Sequence, residues 1–334
     1  MVKVISINNF TKNKFSNPPG SPMRKGGSRD FLKFIFSSMF KKHKKVFPRD
    51  HVLEKQQALE QLNNASNYSI TWLGHAAFLI KLNEYFIITD PFLSKNAGPG
   101  FLGPKREIYS PLDLTDLPRI DMIIISHNHY DHLDSKLIKI FPNKENIKII
   151  VPVGLSNFFI KREFNNVTEM NWWQEININD ITIGCLPCVH FSGRGLFDRN
   201  KTLWASFSIK DKNKKVWFSG DTAYGEIFKE IGKKEEYFDL ALIGIGAYEP
   251  RDFMCSVHAT PEEAIQIAKD IKATKTIGMH WGTIRLTPEP FFEPPKRFRQ
   301  AAKDQKYGQE NALILKIGET INLENLLETW LKIN

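Results

Sequence analysis

Thiols are scarce in this chain of 334 residues, which has three cysteines, Cys185, Cys188 and Cys255. Three cannot build a disulfide framework, and so few suit a reducing compartment. Cys185 and Cys188 form a C-x-x-C, but no second pair completes a zinc ribbon. They lie in "ITIGCLPCVHF", which reads as a strand rather than a helix start, so they are expected to be small core residues. Long apolar runs are also missing. The charged start is not followed by the apolar core of a secretory signal. The patch "FLKFIFSSMF" is about ten residues long, where a bilayer span needs roughly 20. No HExxH and no serine elbow is present. "GIG" at Gly244–Gly246 lacks the third glycine of a dinucleotide loop. The expectation is a cytoplasmic protein, at most peripheral on a membrane, with neither signal peptide nor transmembrane helix.

Acidic residues are nearly absent from the first 50 positions, which hold twelve Lys/Arg and two Asp, a net +10. The whole chain carries +9, so residues 51–334 sit at −1. The sequence therefore divides into a basic N-terminal arm, 1–50, and a nearly neutral body, 51–334. No nucleic-acid module accompanies the arm, and no nucleic-acid partner is expected. Residues 1–30, rich in Gly, Pro and polar residues, read as an extended lead-in. Leu32, Ile35, Phe36 and Phe40 share one helical face ahead of "KKHKK". That face either lies on an anionic membrane surface or packs onto the body.

What is present is a regular alternation. "SITWL", "AFLIKL" and "YFIITD" are short β-rich runs separated by turns. Strands are expected at 121–126, 147–152, 181–189, 203–209, 215–219, 239–245 and 275–279. Helices are expected at 135–141, 154–161, 224–232, 261–272 and 295–304. Thr260, Pro261 and Glu263 spell a helix start with a capping box. Strands that first meander and then alternate with helices indicate a mixed α/β layered domain.

The ends of the apolar strands carry the chemistry. "ISHNHYDHLD" puts His127, His129, Asp131 and His132 after "DMIII"; His190, Asp221 and His280 follow three further strands. Such strand ends are where α/β proteins place their sites. Five imidazoles and two carboxylates without thiolates suit zinc, iron or manganese. They are too many for one tetrahedral ion and right for two ions sharing a carboxylate. A site without thiolates leaves room for water and reads as catalytic.

The pattern H-x-H-x-D-H with distant His, Asp and His resembles the metallo-β-lactamase fold superfamily. "TWLGHAAFLI", "TDPFLS", "GPKR", "ISHNHYDHLD", "GDTAY", "FDLALIGIGAYEPR" and "HWGT" occur in order. That series is similar to the N-acylphosphatidylethanolamine-hydrolysing phospholipase D family and its bacterial relatives, over about residues 68–320. The resemblance implies an αββα sandwich with two Zn2+ at one edge. His127, His129 and His190 would hold one ion, Asp131, His132 and His280 the other, and Asp221 would bridge them. Two such ions lower the pKa of a shared water towards about 7, and Asp131 would aim it at phosphorus. The implied substrate is a phospholipid or other phosphodiester, and a homodimer is left open.

Further residues carry paired readings. His75 either reaches the site or packs as a core histidine. Asp90 either supports a ligand histidine or caps the turn before Pro91. His258, before a helix N-terminus, either meets a substrate phosphate as a catalytic residue or lies on the surface. Arg194 and Arg199 are candidates to touch an anionic substrate, and Glu249 and Arg251 are expected to form an ion pair. Gly100 and Phe101 stand where the animal phospholipase D enzymes have a polar residue and a tyrosine. That departure keeps open a second activity on the same metals, hydrolysis of a soluble ester, lactone or cyclic phosphate.

Overall fold

The structure, a computed structural model, describes residues 9–27 and 47–324. The aromatic and lysine-rich stretch at 31–45 lies outside them. In chain order the strands are β1 (Phe10–Thr11), β2 (Lys14–Phe15), β3 (Tyr68–Gly74), β4 (Ala77–Leu82), β5 (Tyr85–Thr89) and β6 (Met122–Ile124). Then come β7 (Lys148–Pro152), β8 (Asn166–Met170), β9 (Gln174–Ile178), β10 (Ile181–Leu186), β11 (Ser206–Lys210) and β12 (Lys215–Phe218). The last four are β13 (Phe238–Gly244), β14 (Ala273–Met279), β15 (Ala312–Leu313) and β16 (Thr320–Asn322). The helices are α1 (Lys55–Asn63), α2 (Ser135–Ile140), α3 (Ser156–Ile160), α4 (Ile227–Lys234), α5 (Arg251–Met254), α6 (Pro261–Asp270) and α7 (Pro294–Asp304).

Two seven-stranded sheets result, ordered β16-β3-β4-β5-β6-β7-β8 and β15-β14-β13-β12-β11-β10-β9. Each is antiparallel in one half and parallel in the other; direction changes at β5/β6 and at β12/β13. Side chains alternate across the first sheet with the strand period of two. Leu79, Ile88, Ile123 and Ile149 face outward to Ala58, Leu137, Ile138 and Phe159 of α1–α3. Their neighbours Ile80, Ile87, Ile124 and Ile150 join Ile183, Phe207, Ile209 and Phe218 of the second sheet. Helix α6 packs on β13 and β14, and α7 on α6, closing the αββα layering expected from the sequence. Thr260 and Glu263 form the capping box at the start of α6.

The apolar strands and the helices they alternate with fall where the pattern put them, within about three residues at each end. Edge strands β8, "NVTEM", and β9, "QEINI", escaped it, because only Met170 among their residues is buried and no apolar run marks them. Helix α1, "KQQALEQLN", escaped for the same reason: it fully buries only Ala58.

The lead-in reading of residues 1–30 needs correction over 9–27. Lys12 and Asn13, both at positive φ, turn β1 back onto β2. Phe15 N–H donates to Asn200 O at 2.8 Å, and Gly26 N–H to Asp252 O at 3.1 Å. The segment is extended but fastened to the body. No helix among the described residues is long and apolar enough to cross a membrane.

Phe207, fully buried opposite Phe218, has no room to be replaced by solvent. Phe207→Ala should cost about 3–5 kcal/mol in denaturant unfolding; a loss below about 1 kcal/mol would mean the space between the sheets collapses freely.

Candidate metal centre

Strand ends deliver the polar side chains to one edge of the sandwich. The loop after β6 carries His127, His129, Asp131 and His132, and Asp134 then caps α2 by accepting from Lys136 N and Leu137 N. Asp90 follows β5, His190 follows β10, Asp221 follows β12 and His280 follows β14. His75 lies in the two-residue turn between β3 and β4. His75, Asp90 and His280 all adopt positive φ, at 56°, 34° and 63°. Non-glycine residues rarely do so, and such strain gathers where side chains must be aimed.

The candidate ligands come together as two sets. His127, His129, His190 and Asp221 offer ligand atoms within 4.8 Å of one another. So do Asp131, His132 and His280, here with His75. Asp221 lies between the sets. Its Oδ2 is 3.0 Å from His132 Nε2, 3.6 Å from His190 Nε2 and 3.8 Å from His127 Nε2, while Oδ1 is 3.2 Å from His280 Nε2.

The far nitrogens of three rings are already used. His132 Nδ1 donates to Asp90 Oδ2 at 2.6 Å, and His190 Nδ1 donates to Val257 O at 2.8 Å. His127 Nδ1 meets Ser126 Oγ at 2.9 Å, and that hydroxyl donates to Asp90 Oδ2 at 2.5 Å. Each ring therefore turns Nε2 to the centre. His132 Nε2, His280 Nε2 and Asp221 Oδ1 are buried there without a hydrogen bond. His127 Nε2 and His129 Nδ1 approach to 2.7 Å. Inward lone pairs, orphaned polar atoms and outer-nitrogen anchors are what metal ligation requires, so the residues fit two divalent ions.

Charge agrees. Burial lowers His129 and His258 to about 4 and His127 and His190 well below the usual imidazole value, leaving neutral rings. Burial alone would do the same to His132, but Asp221, Asp131 and Asp90 overturn it and raise His132 well above 6.5. The carboxylates draw positive charge to the point where the two sets meet.

The neighbouring residues resolve as follows. His75 touches the site: Nε2 is 2.9 Å from Asp131 Oδ2, and burial lowers its pKa to about 3. Sequence placed it beside the ligands rather than among them; only the quoted "WLGH" turn pointed to it. Asp90 supports His132 and, through Ser126, His127. His258 stacks near His280 and His190, with ring centroids 5.2 and 5.1 Å away. Arg194 lies over Tyr130 at 3.9 Å and donates to Leu133 O, on the outer side of the ligand loop. Arg199 lies over Phe191 at 4.3 Å. The expected Glu249–Arg251 ion pair is replaced by another. Arg251 Nη2 meets both oxygens of Glu263 at 2.7 and 2.6 Å, and Glu249 accepts only the Arg251 backbone N–H. Cys185 and Cys188 are free and buried, and burial raises both thiols.

This fold and site define a class, the metal-dependent hydrolases of metallo-β-lactamase fold. The match of residues 87–281 to the Beta-lactamase superfamily domain agrees, and the chain belongs to that superfamily. It is 40% identical over 254 residues to N-acyl-phosphatidylethanolamine-hydrolyzing phospholipase D 1 of Caenorhabditis elegans, across 72% of this chain and 71% of that one. It is 36% identical to the mitochondrial enzyme of that name from Saccharomyces cerevisiae, across 70% of this chain and 51% of the yeast protein. A metallo hydrolase from the archaeon Ignicoccus hospitalis shares the fold, with TM-score 0.55 and 21% identity over 76% of this chain and 97% of its own.

Asp90→Asn should weaken metal affinity about 10–100-fold in chelator competition; unchanged affinity would reduce Asp90 to a turn cap. A Cβ on Gly220, at φ 54°, would stand 2.4 Å from Ser126 Cβ. Gly220→Ala should therefore lower metal content with the sheets intact, read by elemental analysis beside circular dichroism.

Proposed function

We propose that the chain is a two-zinc phosphodiesterase of phospholipase D type. It hydrolyses N-acylphosphatidylethanolamine-like lipids to phosphatidic acid and an N-acylethanolamine. The observation that carries this reading is the pair of donor sets meeting at Asp221, in a chain 40% identical to a worm enzyme of that activity. His127, His129 and His190 would hold one ion, Asp131, His132 and His280 the other, with Asp221 between. Loaded with two ions, the centre supplies Lewis-acid charge for the phosphoryl oxygens and a water acidic enough to react at neutral pH.

The chain's own residues would do the rest. Asp131 is nine-tenths buried, and His132, His280 and His75 overcome that burial to hold it ionised. It would accept a proton from the attacking water. His75 fixes that carboxylate from behind at 2.9 Å. His258 is a neutral imidazole two residues before α6's cap, Thr260, suited to hydrogen-bond a phosphate oxygen beside the positive end of the helix. Water oxygen bonds to phosphorus, the bond from phosphorus to the ethanolamine oxygen breaks, and that oxygen leaves with a proton. The reducing compartment suggested by three free thiols, at the cytoplasmic face of a membrane, suits this activity.

Zinc-loaded protein should release phosphatidic acid from N-acylphosphatidylethanolamine in mixed micelles, lose the activity to a chelator and regain it with Zn2+. Asp131→Asn should lower kcat by roughly 10²–10³-fold. Turnover of soluble esters, lactones or cyclic phosphates without any phosphatidic acid release would move the chain to that second activity.

A further inference from the structure

Ten large apolar side chains are markedly exposed among the described residues, and five of them lie in segments hydrogen-bonded to the ligand-bearing loops. Phe101 is 86% exposed and Leu102 57%, in the loop 96–103; Leu196 is 91% and Phe197 84%, in the loop 193–199; Met23 is 83%. Both loops hang from the ligand loop. Asp134 accepts from Ser94 N at 2.9 Å and Lys136 Nζ donates to Asn96 Oδ1 at 2.6 Å, tying down the first. Gly193 N–H donates to Asn128 Oδ1 at 2.7 Å, and Arg194 donates to Leu133 O, tying down the second. Met23 belongs to the segment whose Asn17 accepts from His190 N–H at 3.0 Å.

These tips are displayed by ordered backbone. Asn96 donates to the carbonyls of Gly100 and Leu102, and Ala97 N–H donates to Pro104 O at 2.9 Å. Asp198 accepts from Arg194 N–H at 2.9 Å and Gly195 N–H at 2.8 Å. Held open to water, large apolar groups gain nothing until something covers them.

Charge identifies the cover. Residues 17–27, 93–106 and 191–202 hold eight Lys/Arg and one Asp; Arg106 is buried and Arg194 half-buried, which leaves six exposed cations, Arg24, Lys25, Lys95, Lys105, Arg199 and Lys201. The body, 51–334, is at −1 overall; the two stretches within it carry +3 and +2, which leaves −6 on the rest. Apolar tips within a cationic collar, on a domain otherwise acidic, complement an anionic bilayer: the tips enter the acyl boundary and the collar meets headgroups. We propose that these two loops and the Met23 segment form a bilayer-docking face around the mouth of the metal centre. The face rests on the phospholipid reading for its purpose, since it would set the centre against lipid headgroups.

Full-length protein is tested for binding to vesicles of phosphatidylcholine and phosphatidylglycerol in equal parts, and to phosphatidylcholine alone. Binding should favour the anionic vesicles and weaken with salt. The double substitution Phe101→Ser with Phe197→Ser should reduce it by roughly tenfold for each phenylalanine, with metal content and unfolding midpoint unchanged. Leu196→Ser, at the most exposed tip, should reduce it on its own and guards against a local fault in the double variant. No binding by the parent chain, or equal binding by all variants, overturns the proposal. So does a change of oligomeric state in light scattering with vesicle binding unchanged, which would give the face to a second copy of the chain. Vesicle binding without phosphatidic acid release would leave the face standing and remove the phospholipase reading.

Discussion

Three buried carboxylates, Asp90, Asp131 and Asp221, lie around one imidazole, His132. Charge buried at that density is tolerable only with compensating charge beside it. The protein alone offers a proton on His132, while burial drives His75, His127, His129, His190 and His258 neutral. Much of the edge serves this imbalance. Ser126 and Val257 O fix the outer nitrogens of His127 and His190, and Asp90 holds His132, so these three rings turn Nε2 inward. Divalent metal would satisfy the carboxylates and the inward nitrogens together; neither a proton nor an apolar filling would do both.

The backbone bears part of the cost of this aim. His75, Asp90 and His280 accept left-handed conformations at the ends of otherwise regular strands, and Gly220 has space for no Cβ. The change from antiparallel to parallel pairing occurs beside two of these ends, after β5 and after β12. The strands that carry Asp90 and Asp221 thus sit at equivalent places in the two sheets, and their carboxylates converge from opposite layers.

Much of this was legible in the sequence because the site lies where apolar runs stop. A buried strand announces itself by composition, and the residue after it inherits a position. His190, Asp221 and His280 were singled out in that way, and the structure brings them beside His127 to His132, whose crowding needed no structure at all. What failed to show was whatever lacks an apolar signature. Edge strands β8 and β9 are mostly half-buried and carry no apolar run. His75 sits in a two-residue turn whose importance comes from what crosses behind it. The pairing of Arg251 with Glu263 depends on α5 folding back on α6, and the fastening of residues 9–27 depends on Asn200 and Asp252, far along the chain. No local pattern encodes such meetings.

The hydrogen bond from His190 to Asn17 spans 173 positions, and β3 pairs with β16 across the whole body, Thr71 opposite Thr320. Between His127 and His280 lie 153 steps of chain. A ribosome delivering this protein therefore releases the first imidazoles long before the last, and the sheet that carries them lacks an outer strand until Thr320–Asn322 have emerged. Half-made chains hold a cluster of histidines with no fourth wall. The order of synthesis thus leaves the edge without its last imidazole until residue 280 has emerged.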